Sequence, residues 1–435
     1  MAADKVGAPL FRMAEASPDP NYTPPRADAG GTAPLPFKRA AHMAIFFTVL
    51  IDLIGFGILI PILQPFAQKF GASDMVAIVL MGTYSLMQFI FSPILGRLSD
   101  RIGRRPVIIA SLVGSMLGYL IIAAAPFCSN GTASIALLFL ARVVTGICGA
   151  SFSTAQAALA DVTAPEKRAA VMGMIGAAFG IGFVLGPVIG GLTSGTRFGP
   201  SLPFYIAALM SLANALYCLK TLPETLPPEK RGPSRARESI LATARRMSHT
   251  AFPAILVSNF LVITAFSIMT MTFVLFTGKE FGFDERTNGF VFMFIGMIAI
   301  VIQGGLIRRI AKNGNERKLA LTGCVLMVVS LALLGESHPW TTLLLVTALM
   351  SVGNSLATPT LNALASQCGT VQTQGETMGA MSSAGSLGRF IGPFMAAGLA
   401  GLHPGKYEYA FWLAAFIMAA AVMAVAAIKK AQPPA

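Results

Sequence analysis

The chain has 435 residues, of which 54% are hydrophobic and only 12% charged, with a mean hydropathy of +0.69. That composition excludes a soluble protein with a water-facing surface, and the apolar runs of roughly 17 to 25 residues between the charges suit a hydrocarbon core about 30 Å thick. A net charge of +13 does not point to nucleic acid, because Lys and Arg lie between the apolar runs and form no aromatic-laced stripe.

Residues 1–41 lack the basic-then-apolar pattern of a cleaved leader and read as a disordered cytosolic tail. Twelve spans follow, near 42–64, 76–96, 106–126, 134–158, 169–192, 201–220, 252–276, 287–308, 318–335, 339–364, 377–400 and 409–428. Short alternating strands, the mark of a membrane barrel, are absent. The predicted fold is therefore all-α: twelve transmembrane helices in two pseudo-symmetric bundles of six, 42–220 and 252–428. Between them lies a cytosolic linker, 221–251, with a basic surface helix, and residues 429–435 form a cytosolic tail. With both termini in the cytosol, most of the 32 Lys and Arg residues face inward, as the positive-inside rule requires.

In the first span Asp52 lies roughly 15 Å deep, where an ionised acid is expensive unless paired or hydrated. A proton carrier is one role for it; a permanent ion pair with Arg142 of the fourth span is the other. Between the second and third spans runs GRLSDRIGRRP, residues 96–106. Gly96 and Gly103 permit close packing and a tight turn, Asp100 can accept hydrogen bonds, and Arg101, Arg104 and Arg105 hold the turn at the cytosolic face. The fifth span concentrates glycine around Gly186 and Pro187, which favours close backbone approach and bending. Polar groups inside spans are candidates for lining a substrate cavity: Gln64, Tyr84, Gln88, Gln156, Asn214, Asn259, Gln303, Asn354 and Asn362. They lie among Phe266, Met269, Met271 and Phe273, which suit amphipathic solutes. Arg389, in GSLGRFIGP of the eleventh span, is a second cation at membrane depth, suited to structural locking or to binding solute.

GRLSDRIG at 96–103 aligns with GGLIRRIA at 304–311, and LGPVIGGL at 185–192 with IGPFMAAG at 391–398, at nearly one offset. This faint repeat supports a duplicated six-helix unit around a central cavity. Five cysteines, Cys128, Cys148, Cys218, Cys324 and Cys368, show neither C-x-x-C nor other ligand spacing, so no metal site, cofactor or disulfide framework is expected. Nor does any nucleophile and base, or phosphate loop, occur at a spacing that would suggest an enzyme.

The motif at 96–106, LARVVTGICGA at 140–150 with Arg142, and GAAFGIGFVLGPVIGG at 176–191 resemble the signatures of the major facilitator superfamily, in particular its twelve-span drug and proton antiporters. DLIGFGILIPIL at 52–63 and ALADVTAPEKRAAVMG at 158–173 resemble its tetracycline-efflux branch. The resemblance implies that Asp100 anchors the two halves while the protein faces outward, that Arg101 pairs near Asp161, and that both contacts release as the cytosolic side opens. It also implies proton-coupled export of a small amphipathic substrate by a monomer in a bacterial inner membrane, in contact with lipids and protons. In one respect the chain departs from that branch: its ninth span holds no acid, and Glu336 falls at the span's end. Proton-linked transport of a specific metabolite is the alternative, and a transporter-shaped receptor or scaffold a more distant one.

Overall fold

The computed structural model describes residues 39–163, 168–194, 196, 201–226, 228–231, 244–248, 250–310, 315–369 and 374–428. The N-terminal tail, the C-terminal tail and the predicted surface helix of the linker lie outside these residues or nearly so. Among the described residues twelve long helices follow one another. The first six are α1 (Arg39–Leu59), α2 (Asp74–Ile102), α3 (Arg104–Ala124), α4 (Gly131–Gly149, continued by Phe152–Asp161), α5 (Arg168–Ser194) and α6 (Leu202–Thr221). The second six are α7 (Phe252–Phe281), α8 (Glu285–Val301), α9 (Glu316–Leu334), α10 (Trp340–Cys368), α11 (Gln374–Leu402) and α12 (Glu408–Ala426). Nine of these are long and apolar enough to cross a membrane by that criterion alone, among the residues described. The other three are α5, α8 and α11, which form much of the surface between the halves.

Local chemistry explains several boundaries. Helix α1 stops before Pro61, and a short helix, Leu63–Gln68, turns the chain toward α2. The side chain of Ser73 accepts from the Val76 amide and starts α2. The motif at 96–106 is not an open loop: α2 continues through Arg97 and Asp100 to Ile102, and a single residue, Gly103 at φ 107°, makes the turn into α3. An L side chain is strained at that φ, which accounts for glycine. Helix α7 ends at Gly282 in the left-handed region, and Asp284 caps α8 by accepting from the amide and hydroxyl of Thr287 at 2.8 and 2.6 Å. These bonds, the hydroxyl's first, hold the Asp284 carboxyl below its ordinary range. Gly304 and Gly305 fall in a π-helical turn, Ile302–Leu306, that carries α8 into a last short helix, Ile307–Ile310.

The packing repeats from one half to the other. Helix α1 packs on α5 and α6, and α3 on α4 and α6; correspondingly α7 packs on α11 and α12, and α9 on α10 and α12. The two bundles then meet through α2 with α11 and α5 with α8, which are equivalent pairs under the same repeat. Glycines bring backbones together at these crossings. A Cβ on Gly186 would lie 2.6 Å from Gly57 Cα, and one on Gly392 would lie 2.9 Å from Thr264 O, in the equivalent α7 and α11 pair.

Candidate functional site

Arg142 reaches into the middle of the first bundle from α4, and its side chain is fully buried, at 0% exposure. Its Nε donates to the Leu80 carbonyl at 3.4 Å and its Nη2 to that of Met81 at 3.3 Å. The guanidinium carbon sits 4.6 Å from the centre of the Tyr84 ring, and Nη1 has no hydrogen-bond partner among the described residues. Cation–π contact and carbonyl oxygens thus take the place of a carboxylate. Asp52, partly buried on α1, makes no ion pair or hydrogen bond among the described residues, so the alternative of an ion pair with Arg142 is not formed in this state. The acid does interact electrostatically with Tyr84 of α2, Tyr119 of α3 and Cys148 of α4. The Tyr84 ring lies 5.3 Å from that of Phe56 at a tilt of 35°, and its hydroxyl fills the space over Gly149, where a Cβ would lie 2.3 Å away.

Arg389 comes from α11 in the other half and is electrostatically linked to the same Tyr84. Its Nη2 donates to Ser386 Oγ at 3.1 Å, and no carboxylate pairs with it among the described residues. Arg142 thus contacts Tyr84 directly, while Arg389 of the other half and Asp52 of α1 both interact with that tyrosine electrostatically. The other polar positions divide by where they point. Gln88 donates to the Gly149 carbonyl beside Tyr84, at 3.1 Å, while Gln156 and Asn362 are partly buried. Asn354 accepts from Thr358 one turn on, and Gln303 donates to Ser355 Oγ at 3.3 Å, joining α8 to α10. Asn214 was expected in a cavity but is buried between α1 and α6, donating to Thr48 Oγ1 at 3.2 Å. Asn259 is likewise buried and ties α7 to α11 through the Met381 carbonyl. Gln64 bridges the halves by donating to the Met271 carbonyl at 2.6 Å.

At the basic end of the bundle, where Arg97, Arg101, Arg104 and Arg105 cluster, Arg104 reaches Asp161; the Arg101 pairing that the resemblance implies belongs to the outward-facing state. Arg104 Nε lies 3.2 Å from Asp161 Oδ2, and its Nη1 lies 2.5 Å from Asp100 and 2.6 Å from Ser99 Oγ. Arg101 is exposed. The turn at Gly103 rotates successive side chains off the helical period, so Arg104 points inward. Asp100 thus pairs within its own half here; the expected half-to-half contact is not made in this state.

Glu224, just past α6, was not singled out from sequence. Its Oε1 accepts from the amides of Arg104 at 2.8 Å and of Thr225 and Leu226 at 3.0 Å, and its Oε2 from the Arg105 amide at 3.3 Å. It caps α3 and fastens the start of the linker to the turn; a Cβ on Gly103 would lie 2.2 Å from it. An acid followed by a Pro-rich stretch was the only signal in the sequence. Glu224→Ala leaves these amides without their acceptor and is expected to destabilise the protein by about 1–2 kcal/mol, measured as a lowered midpoint of thermal unfolding in detergent.

The opposite end carries contacts between the halves. Lys69 pairs with Glu285 at 2.8 Å, and Tyr407 donates to Asp74 at 2.6 Å while Gln68 donates to the other Asp74 oxygen at 2.8 Å. Burial and the Asp74 carboxylate raise the Tyr407 hydroxyl above the ordinary tyrosine range, so it keeps the proton that it donates. Met75 lies against Gly401 and Gly191 meets Gly289, while nearer the middle of the bundle Phe89 stacks on Phe390 at 5.8 Å. The halves are closed at this distal end, and the inter-half hydrogen bonds and ion pairs named here all belong to it. Asp74→Ala removes the acceptor of the Tyr407 bond. With about 1 kcal/mol at stake for a partly exposed charged hydrogen bond, it is expected to raise the distally open population several-fold. The readout is the distance between spin labels on the two bundles; an unchanged distribution would mean that the bond does not bias closure.

A family model described as Major Facilitator Superfamily matches residues 45–335 and 312–435. The tetracycline resistance protein, class B, of Escherichia coli is 31% identical over 365 residues, covering 82% of this chain and 88% of that protein. Major facilitator superfamily domain-containing protein 10 of Bos taurus is 29% identical over 425 residues, covering 86% and 90%. The crystal structure of the human organic anion transporter MFSD10 (TETRAN) superposes with a TM-score of 0.68 at 27% identity, covering 89% of this chain and 99% of that one. With the repeat, the paired bundles and the motif geometry, these likenesses show that the chain belongs to the Major Facilitator Superfamily, as a multi-pass membrane protein that acts as a secondary transporter by alternating access.

Proposed function

We propose that this protein is a proton-linked carrier of a specific organic solute, and that the solute is anionic. The observation that carries this reading is the excess of cations at membrane depth. Arg142 contacts Tyr84 and Arg389 of the other half interacts with it electrostatically, both without a carboxylate partner among the described residues, while Asp52 interacts with the same tyrosine. Buried guanidinium groups are stabilised by an anion that arrives with the solute, and they discriminate against cations. The organic anion transporter with which the chain superposes supports the same choice. Asp52 then carries the proton: partly buried and unpaired, it can be loaded and unloaded as the surrounding charge changes.

The basic end is assigned to the cytosol by the positive-inside rule, which makes both termini cytoplasmic and the distal closure an inward-facing state of a single chain. Asp100, Arg104 and Asp161, with Glu224 beneath them, form the switch that would engage the second half when the cytosolic side closes. The fifth-span glycines divide between two tasks. Gly182, Gly186 and Gly190 fit α5 to α1 within one half, whereas Pro187 O and Gly191 meet α8 across the halves.

Export of amphipathic drugs is the second reading, favoured by the likeness to the tetracycline resistance protein and by the buried Met269, Met271 and Phe273 of α7. The deciding experiment measures proton movement in proteoliposomes of the unmodified protein with panels of organic anions, amphipathic cations and tetracyclines. Flux evoked by anions supports the proposal; flux evoked only by cations or tetracyclines supports the second reading and rejects the first.

A further inference from the structure

Tyr119 stands on α3 with its side chain 4% exposed, and its hydroxyl lies directly over Gly55 of α1, where a Cβ would be 2.1 Å from the oxygen. Gly55 is three residues from Asp52, so both belong to one face of α1. Any larger residue at 55 would evict the hydroxyl from that face. Tyr119 also interacts electrostatically with Asp52, and its hydroxyl makes no hydrogen bond among the described residues. The other groups that interact with the acid are Tyr84 of α2 and Cys148 of α4, and Arg142 of α4 interacts with Tyr119 itself. The Tyr84 hydroxyl is set against Gly149 instead. Helix α5 offers glycine at this level, with Gly182 against Leu53, and α6 offers Asn214 and Cys218 to Thr48, one turn away on α1. Tyr119 is thus the hydroxyl placed on the acid's own helix face and free to donate.

We propose that Tyr119 is a positioning residue for Asp52: its hydroxyl donates to the carboxylate once the proton has left, holds it in one orientation, and sets the pH at which the proton returns. This inference rests on the reading of Asp52 as the proton carrier. A hydrogen bond to the charged form favours that form, and one made to an ion is stronger than one between neutral groups.

The test needs no transported solute. The full chain in lipid vesicles is treated with dicyclohexylcarbodiimide, which modifies protonated carboxyls, across a range of pH, and modification of the Asp52 peptide is followed by mass spectrometry. Asp52→Asn identifies the signal by abolishing it. Tyr119→Phe keeps the ring and removes the donor, so it is expected to move the pH midpoint of labelling upward by about one unit. Gly55→Ala displaces the hydroxyl and is expected to move the midpoint in the same direction. A residue that only fills space would leave the midpoint of the Phe variant where it was, and that result overturns the assignment while leaving Asp52 as carrier. Labelling of Asp52 that does not vary with pH in the unmodified protein overturns both.

Discussion

Asp52→Asn is expected to abolish transport driven by a pH gradient while leaving the protein folded. The amide is close to the carboxyl in size and cannot ionise, so the variant is locked in the equivalent of the protonated state. Concentrative transport should fall at least tenfold, whereas exchange of solute for solute, which needs no net proton movement, should persist. The arrangement around Arg142 separates coupling from stability. Were the acid one half of a buried ion pair, its neutralisation would strand a cation at a cost of about 3–5 kcal/mol. Arg142 instead rests on the Leu80 and Met81 carbonyls and the Tyr84 ring, so the unfolding midpoint of the Asn variant should barely move. Gradient-driven accumulation that survives in the Asn variant would remove Asp52 as the carrier.

Asp52 and Arg142 were legible in the sequence because charges at membrane depth stand out against an apolar background. The twelve helices were legible for the same reason, and Gly103 because a turn between spans demands a residue tolerant of positive φ. What the sequence concealed was partnership. Arg101 and Arg104 are equivalent as members of a basic motif, and only the turn at Gly103 shows that Arg104 reaches Asp161 in this state. Asn214 and Asn259 look like cavity residues by hydropathy, yet each is spent on a neighbouring helix whose identity depends on packing. The distal contacts are more hidden still, since Tyr407 and Asp74 are 333 positions apart and Lys69 and Glu285 are 216 apart. Surface polar residues in short connections carry no mark of an inter-half contact until the bundles are docked. The fifth-span glycines were legible as a place for close approach, but their partners were not. Three of them face α1, within the same half, and only the distal end of the stripe reaches α8.

That distal crossing gives the second large effect. A Cβ added to Gly289 would lie 2.7 Å from Pro187 O and 2.9 Å from Gly191 Cα, both backbone atoms of α5. Neither can yield as a flexible side chain does, so a larger residue must push α5 and α8 apart or distort one of them. The supports of α8 within its own half are untouched: buried Asn288 accepts from Thr277 of α7 at 2.7 Å, and Ser351 of α10 donates to the Ile295 carbonyl at 2.7 Å. The cost therefore falls on the closed interface between the bundles rather than on either bundle. Overpacking of about 1–3 kcal/mol corresponds to roughly a five- to hundredfold shift away from the distally closed state. Gly289→Leu should accordingly leave a folded, monodisperse protein arrested with its distal end open, seen as a lengthened spin-label distance across α5 and α8, with transport reduced by a similar factor. Gly289→Ala should fall between the two. If the Leu variant kept the closed distance distribution, the glycine crossing would not govern closure, and the Asp74 and Glu285 contacts would have to hold the distal end by themselves.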